Sequence, residues 1–220
     1  TTLRRSDESA GAEAVDARLV RHPRNTVPAR TARPHDEVVD LFVAMARDVA
    51  ATVDRIERPE DAPRRIAEWL AAHNLPARLK VSLDPALDAL AWQTVPTVEA
   101  VRGAATPDDL TAVTGVFAAI AETGTLMMLS SPETPSTTNF LPDNHIVVMR
   151  AEDVVGPYED AWDRMRARGA VPRTVNLITG PSRTGDIEQR IQLGAHGPRR
   201  LHIILIDGAP IDAAGPRRRR

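Results

Sequence analysis

Cysteine is absent from the 220 residues. This excludes a thiolate nucleophile, disulfides, and thiolate ligation of zinc or an iron–sulfur cluster by this chain. Any electrons in its chemistry are expected to be carried elsewhere. Lysine occurs once, at Lys80, so 27 of the 28 basic residues are arginine. A P-loop, which needs Gly-Lys-Ser/Thr, is ruled out, and a Schiff-base lysine has a single candidate. Anions would be held instead by planar, permanently charged guanidinium forks.

Long apolar runs are also missing; none approaches the ~18 residues of a membrane span. The first residues lack the basic–apolar–small pattern of a secretion leader. The expectation is a cytoplasmic protein without membrane attachment. A formal net charge of −2 argues against a dedicated nucleic-acid binder. The exception is the basic tail at 211–220, ending Arg217-Arg218-Arg219-Arg220, for which a solvated terminus is the simpler reading. Aromatic side chains are scarce, and Trp69, Trp92 and Trp162 read as core. His22, His35, His73, His145, His196 and His202 show no metal-ligand spacing, so no metal site is predicted. His145 and His202 fall within apolar runs and read as core or edge residues.

Residues 1–33 are polar, alternately charged and broken by prolines, which predicts a disordered arm with one short helix near 13–20. A single α/β domain is expected over 34–210. Val39, Phe42, Val43, Ala46, Val49, Val53 and Ile56 recur at three- and four-residue spacing and predict an amphipathic helix over 36–57. A second helix is expected from Asp61 or Ala62 to Asn74. Residues 79–82 predict a strand, and Asp84-Pro85 opens a helical turn. Thr106-Pro107-Asp108-Asp109 has the hydroxyl, proline and acidic residues of a helix start. Phe117–Ala121 and Leu126–Leu129 predict a hairpin around Glu122-Thr123-Gly124-Thr125. A polar loop covers 130–139. Strands are predicted at 145–149, 174–179 and 201–207, with a helix at 153–168 ended by Gly169. Strands alternating with helices imply a largely parallel sheet, made mixed by the hairpin.

The densest chemistry lies in Gly180-Pro181-Ser182-Arg183-Thr184-Gly185-Asp186-Ile187-Glu188 and Gly194-Ala195-His196-Gly197-Pro198. Glycines allow backbone amides to approach a ligand closely. Ser182 and Thr184 offer hydroxyls, and Arg183 offers a bidentate fork for carboxylate or phosphate. Asp186 is placed to cap a short following helix. If the 174–179 strand is parallel, this loop lies at the carboxyl edge of the sheet, where ligands bind in open α/β folds. The plainer alternative is a capped turn with Arg183 paired to Asp186 or Glu188. His196 poses a geometric problem. It precedes a strand whereas Arg183 follows one, so the two meet only if the intervening chain doubles back or a second subunit contributes. Glu122, between apolar strands, is either a base or nucleophile with a raised pKa or a solvated turn residue.

Three segments together resemble the LUD-domain family, in its lactate utilization C branch. They are Ala119-Ile120-Ala121-Glu122-Thr123-Gly124-Thr125-Leu126, then Leu141-Pro142-Asp143-Asn144-His145-Ile146-Val147-Val148, and the 180–198 segment; Asp108-Asp109-Leu110 through Gly115 also fits. The likeness covers roughly 36–208. Gly185, where alanine is commoner, and the Ser136–Asn139 stretch depart from the pattern. The resemblance implies a Rossmann-like mixed sheet similar to the NagB/RpiA/CoA-transferase fold, preceded by a helical segment. It implies a role beside two iron–sulfur proteins that oxidise L-lactate to pyruvate, with the clusters in those partners and no cofactor in this chain. CoA transferases use a Glu-x-Gly nucleophile, to which Glu122-Thr123-Gly124 is similar. The ligand-binding set is then Thr123, Gly124, Thr125, Gly180, Ser182, Arg183, Thr184, Asp186 and Glu188, with Glu122 and His196 as catalytic candidates. The ligand is a small anionic metabolite. Alternatives are a stand-alone CoA-transferase-like or sugar-phosphate enzyme, or an organic-acid sensor; self-association is left open.

Overall fold

The apolar runs of the second half form the centre of the protein. The computed structural model describes residues 8–24, 26–187, 190–193 and 196–208. Strands β1 (Thr52–Ile56), β2 (Arg78–Val81), β3 (Glu99–Arg102), β4 (Thr111–Thr114), β7 (Asn144–Arg150) and β12 (Arg200–Ile206) make a six-stranded sheet in the order β1-β12-β7-β4-β2-β3. Every pairing in it is parallel. A second sheet has the order β8-β5-β6-β9, from β5 (Ala118–Ile120), β6 (Thr125–Leu129), β8 (Val154–Val155) and β9 (Val175–Ile178). β10 (Arg183–Ile187) and β11 (Arg190–Leu193) form an antiparallel hairpin.

Alternate residues of β7 and β12 serve two cores. Ile146, Val148, Ile204 and Ile206 face helix α3 (Ala62–Ala72), through Ile66, Trp69 and Leu70. Val147, Met149, Leu201, Ile203 and Leu205 face α2 (His35–Asp48) and one side of the second sheet. The other side of that sheet, with Ala118, Ile120 and Met127, is covered by α5 (Tyr158–Ala167) through Ala161 and half-buried Trp162. Burial of each large aliphatic side chain is worth roughly 1.5–3 kcal/mol, so strands buried on both faces anchor the fold. This is a mixed α/β protein with a parallel-dominated sheet and helices, as the alternation of elements predicts.

Several expected elements differ. The 36–57 helix ends at Asp48, and Val53 and Ile56 belong to β1. They sit in the cores on opposite faces of the sheet, although helical spacing would put both on one face. The chain turns at Ala50, in the left-handed region at φ 68°, where an alanine gives no stop signal. Thr106–Asp109 starts no helix. Asp109 instead accepts from the Thr106 amide and hydroxyl, both at 2.8 Å, and closes a turn into β4. The 153–168 helix starts later, at Tyr158, because Val154 and Val155 pair with β5. Within the 1–33 segment, α1 (Glu8–Arg21) is followed by contacts with the domain: Arg24 pairs with Asp160 and Asp163, and Thr31 is buried. The 209–220 stretch, with the basic tail, lies outside the described residues.

Candidate functional site

Strand β9 decides where the glycine-rich segment lies. It pairs antiparallel with β6, Leu126 opposite Ile178 and Leu129 opposite Val175, and belongs to the second sheet. The loop after it therefore meets the amino ends of β7 and β12, not the carboxyl edge expected for a parallel strand. Gly180 has φ 75°, and a Cβ there would stand 2.2 Å from the Val49 carbonyl oxygen. Its lack of a side chain serves close packing against the end of α2. Beyond it, the Ser182 amide donates to the Pro198 carbonyl at 2.8 Å. The β10–β11 hairpin, with Arg183 opposite Leu193, turns the chain back. It also replaces the short helix expected after Asp186.

This doubling-back resolves the problem posed by His196. Arg183 and His196 line one cavity of about 300 Å³, together with Gly180 and Ser182. Phe140, Leu177 and Leu201 supply an apolar wall. Arg183 and His196 are exposed, as groups waiting at a rim would be. Thr184 and Asp186 fall on β10, and Glu188 lies outside the described residues.

His145, read from sequence as a core or edge residue, also lines this cavity. It is fully buried, and its Nε2 shares a hydrogen with the Thr114 hydroxyl at 2.8 Å. Its Nδ1 has no hydrogen-bond partner. Burial pushes its pKa down to about 4, so the ring is neutral at physiological pH. A buried polar atom without a partner is unfavourable unless water or a ligand completes it. No sequence signal separates such a histidine from a satisfied core one, because the distinction rests on the loop from a different sheet.

Glu122 is not brought to this cavity. Its carboxylate accepts from the Tyr158 amide at 3.2 Å, at the first residue of α5, where a negative charge is favoured by the helix dipole. Its carbonyl accepts from the Arg30 guanidinium at 2.6 Å. Gly124, at φ 67°, packs on the Ala46 backbone of α2. The Thr123, Thr125 and Tyr158 hydroxyls are linked at 2.6–2.9 Å, and Thr125 reaches Thr179 at 2.7 Å. Thr179 lines the cavity, as do Leu177 and Ile178 of β9, so the hairpin borders the site through that hydroxyl chain and through the pairing of β6 with β9. Among the described residues no group of three metal-ligating side chains comes together. No helix of the described residues is long and apolar enough to cross a membrane.

The sequence profile of the LUD domain matches residues 39–206, well over half of the chain. The chain belongs to the LUD-domain family. It is 39% identical over 93 residues to an uncharacterized protein, NMB1437, of Neisseria meningitidis, covering 42% of this chain and 40% of that protein. It is 35% identical over 91 residues to lactate utilization protein C of Bacillus subtilis, covering 40% of this chain and 38% of that protein. The match thus spans about two fifths of the length of these relatives. Among solved structures, a DUF162 family protein from Deinococcus radiodurans superposes with a TM-score of 0.59 at 22% identity. That alignment covers 79% of this chain and 99% of the other, and it establishes a shared fold.

Proposed function

We propose that this chain is the non-redox component of a lactate-utilising system and binds a small 2-hydroxy or 2-oxo acid in the Arg183/His196 cavity. The observation that carries the reading is the convergence of Arg183, Ser182 and His196 on one cavity that is also lined by buried His145, whose Nδ1 has no hydrogen-bond partner. Such an acid offers a carboxylate to the guanidinium fork, an oxygen to the imidazole, and a methyl group to the Phe140 and Leu177 wall. The similarity to lactate utilization protein C supports lactate or pyruvate as the acid. Oxidation of L-lactate to pyruvate releases two electrons and two protons. With no cysteine in the chain, the electrons pass to two iron–sulfur partner proteins. Glu122 has a helix-capping contact here, and no observation favours it as a nucleophile.

The test is calorimetric titration of L-lactate and pyruvate. Loss of a charge-assisted hydrogen bond costs about 1.5–3 kcal/mol, so Arg183→Ala should weaken binding at least about tenfold. Arg183→Lys should restore it only in part, since a point charge does not reproduce the fork. The melting temperature should not change, because Arg183 is exposed. Absence of binding to the native chain, or a lowered melting temperature with intact affinity, contradicts the reading. Lactate-dependent dye reduction by the isolated chain contradicts the division of labour.

A further inference from the structure

A second and larger cavity, of about 490 Å³, opens at the carboxyl ends of β2 and β4. Strand β3 lies outside β2, whereas the next strand of this sheet after β4, reached through β5 and β6, is β7 on the other side. Successive strands diverge at this point, and in open α/β sheets such a divergence leaves a crevice at the carboxyl edge where ligands bind. Ser82 follows β2 directly. It is fully buried, it lines the crevice, and its hydroxyl has no hydrogen-bond partner.

Asp84 is held in place beside it. One carboxylate oxygen accepts from the Ala86 amide at 2.9 Å. The other stands over Gly115, where a Cβ would lie 2.2 Å away. Only glycine at 115 leaves room for that carboxylate. Glu133 also lines the crevice, its carbonyl accepting from the Leu83 amide at 3.1 Å, and the Ser131 hydroxyl holds its carboxyl below the usual range. Val116, Phe117 and Met128 supply an apolar side. Arg168 at the mouth lies over the Phe117 ring, 5.4 Å from its centroid. The walls are thus rich in acceptors and carry two carboxylates against that one guanidinium. This disfavours a small acid and favours an uncharged ligand rich in hydroxyl donors. A volume of this size lies well inside the range of sites for larger organic ligands.

We propose that this crevice binds a nucleoside, with the vicinal ribose hydroxyls donating to Asp84, Ser82 completing its hydrogen bond, and the base lying on the apolar side. This site shares only Asn139 of its lining with the acid-binding cavity and does not rest on that reading. Titration of the full chain with adenosine tests it. One-site binding is expected. 2′-Deoxyadenosine, which lacks the diol, should bind about tenfold more weakly, and D-ribose, which lacks the base, weaker still. Asp84→Asn should lower adenosine affinity about tenfold and Ser82→Ala by a smaller factor. L-Lactate titrations of both variants should match the native chain, and Arg183→Ala should leave adenosine affinity unchanged. If Asp84→Asn does not fold, Ser82→Ala, which removes only an unpartnered hydroxyl, carries the test. The proposal is overturned by absence of adenosine binding, by equal affinity for the deoxy analogue or for ribose, or by unchanged affinity in the folded variants.

Discussion

Two histidines are sealed in the parallel sheet, and both are held neutral by burial. His145 on β7 and His202 on β12 each have a pKa pushed down to about 4. His202 stacks on Trp69 at 4.9 Å, and its Nδ1 shares a hydrogen with the Thr52 hydroxyl at 2.8 Å. In the unfolded chain both titrate near the ordinary value of about 6.5. Between about pH 6.5 and 4 the unfolded state therefore binds more protons than the folded state, and stability falls as pH falls through that window. Above it the histidines contribute no slope. Each is worth up to about 3 kcal/mol across the full window. Urea unfolding should give clearly lower stability at about pH 4.5 than at 7, and the His145→Gln, His202→Gln double variant should show a shallower pH slope. An unchanged slope in that variant would place the acid sensitivity elsewhere. The neutral charge of His145 also makes Arg183 the principal electrostatic anchor for an acid in the proposed site.

At the scale of the element, the glycines carry a different meaning from the one read in the sequence. Gly180 and Gly124 suggested backbone approaching a ligand, yet both pack on the last turns of α2. At Gly180 an added Cβ meets a backbone carbonyl, which has little freedom to move, and φ 75° strains any L-residue by about 1–2 kcal/mol. Gly180→Ala should therefore destabilise the protein by at least ~2 kcal/mol in chemical denaturation. A change under about 0.5 kcal/mol, the ordinary surface effect, would show that the α2 end yields. The boundary between α2 and β1 teaches a related lesson. Val53 and Ile56 continue the helical spacing of Val39 to Val49, but parallel pairing of β1 with β12, from Thr52–His202 to Ile56–Ile206, draws them into the sheet. Local spacing is a weak signal beside a full ladder of pairing and burial on both faces. By contrast α3, the β5–β6 hairpin, β7 and β12 were legible, because their apolar patterns matched their final surroundings.

For the whole molecule, the segment before residue 34 divides into two parts with different expected costs. Residues 11–21 of α1 keep their side chains mostly exposed, including Val15, Leu19 and Val20. Arg24, Arg30 and Thr31 contact the domain: Arg24 at Asp160 and Asp163, Arg30 at the Glu122 carbonyl, and Thr31 buried near Gly156. Removing residues 1–22 should leave the melting temperature within about 2 °C, whereas removing 1–33 should lower it by several degrees, at roughly 2–4 °C per kcal/mol for a domain of this size. Equal melting temperatures for the two truncations in a thermal-shift assay would show that the 24–31 contacts add nothing.

The sequence by itself determined the mixed α/β class, the buried runs of α3, β7 and β12, and the chemistry available. Binary patterning marks which residues are buried, and the absence of cysteine removes thiolate chemistry wherever the chain folds. Only the tertiary structure decided which residues meet. An apolar strand such as Val175–Ile178 looks much the same whether its neighbour runs parallel or antiparallel, and its pairing with β6 put Arg183 and His196 over His145 at the amino edge of the main sheet. The crevice at Ser82 was hidden for the same reason. A serine after a strand has no motif, and its significance comes from the order of strands, which non-local pairing sets.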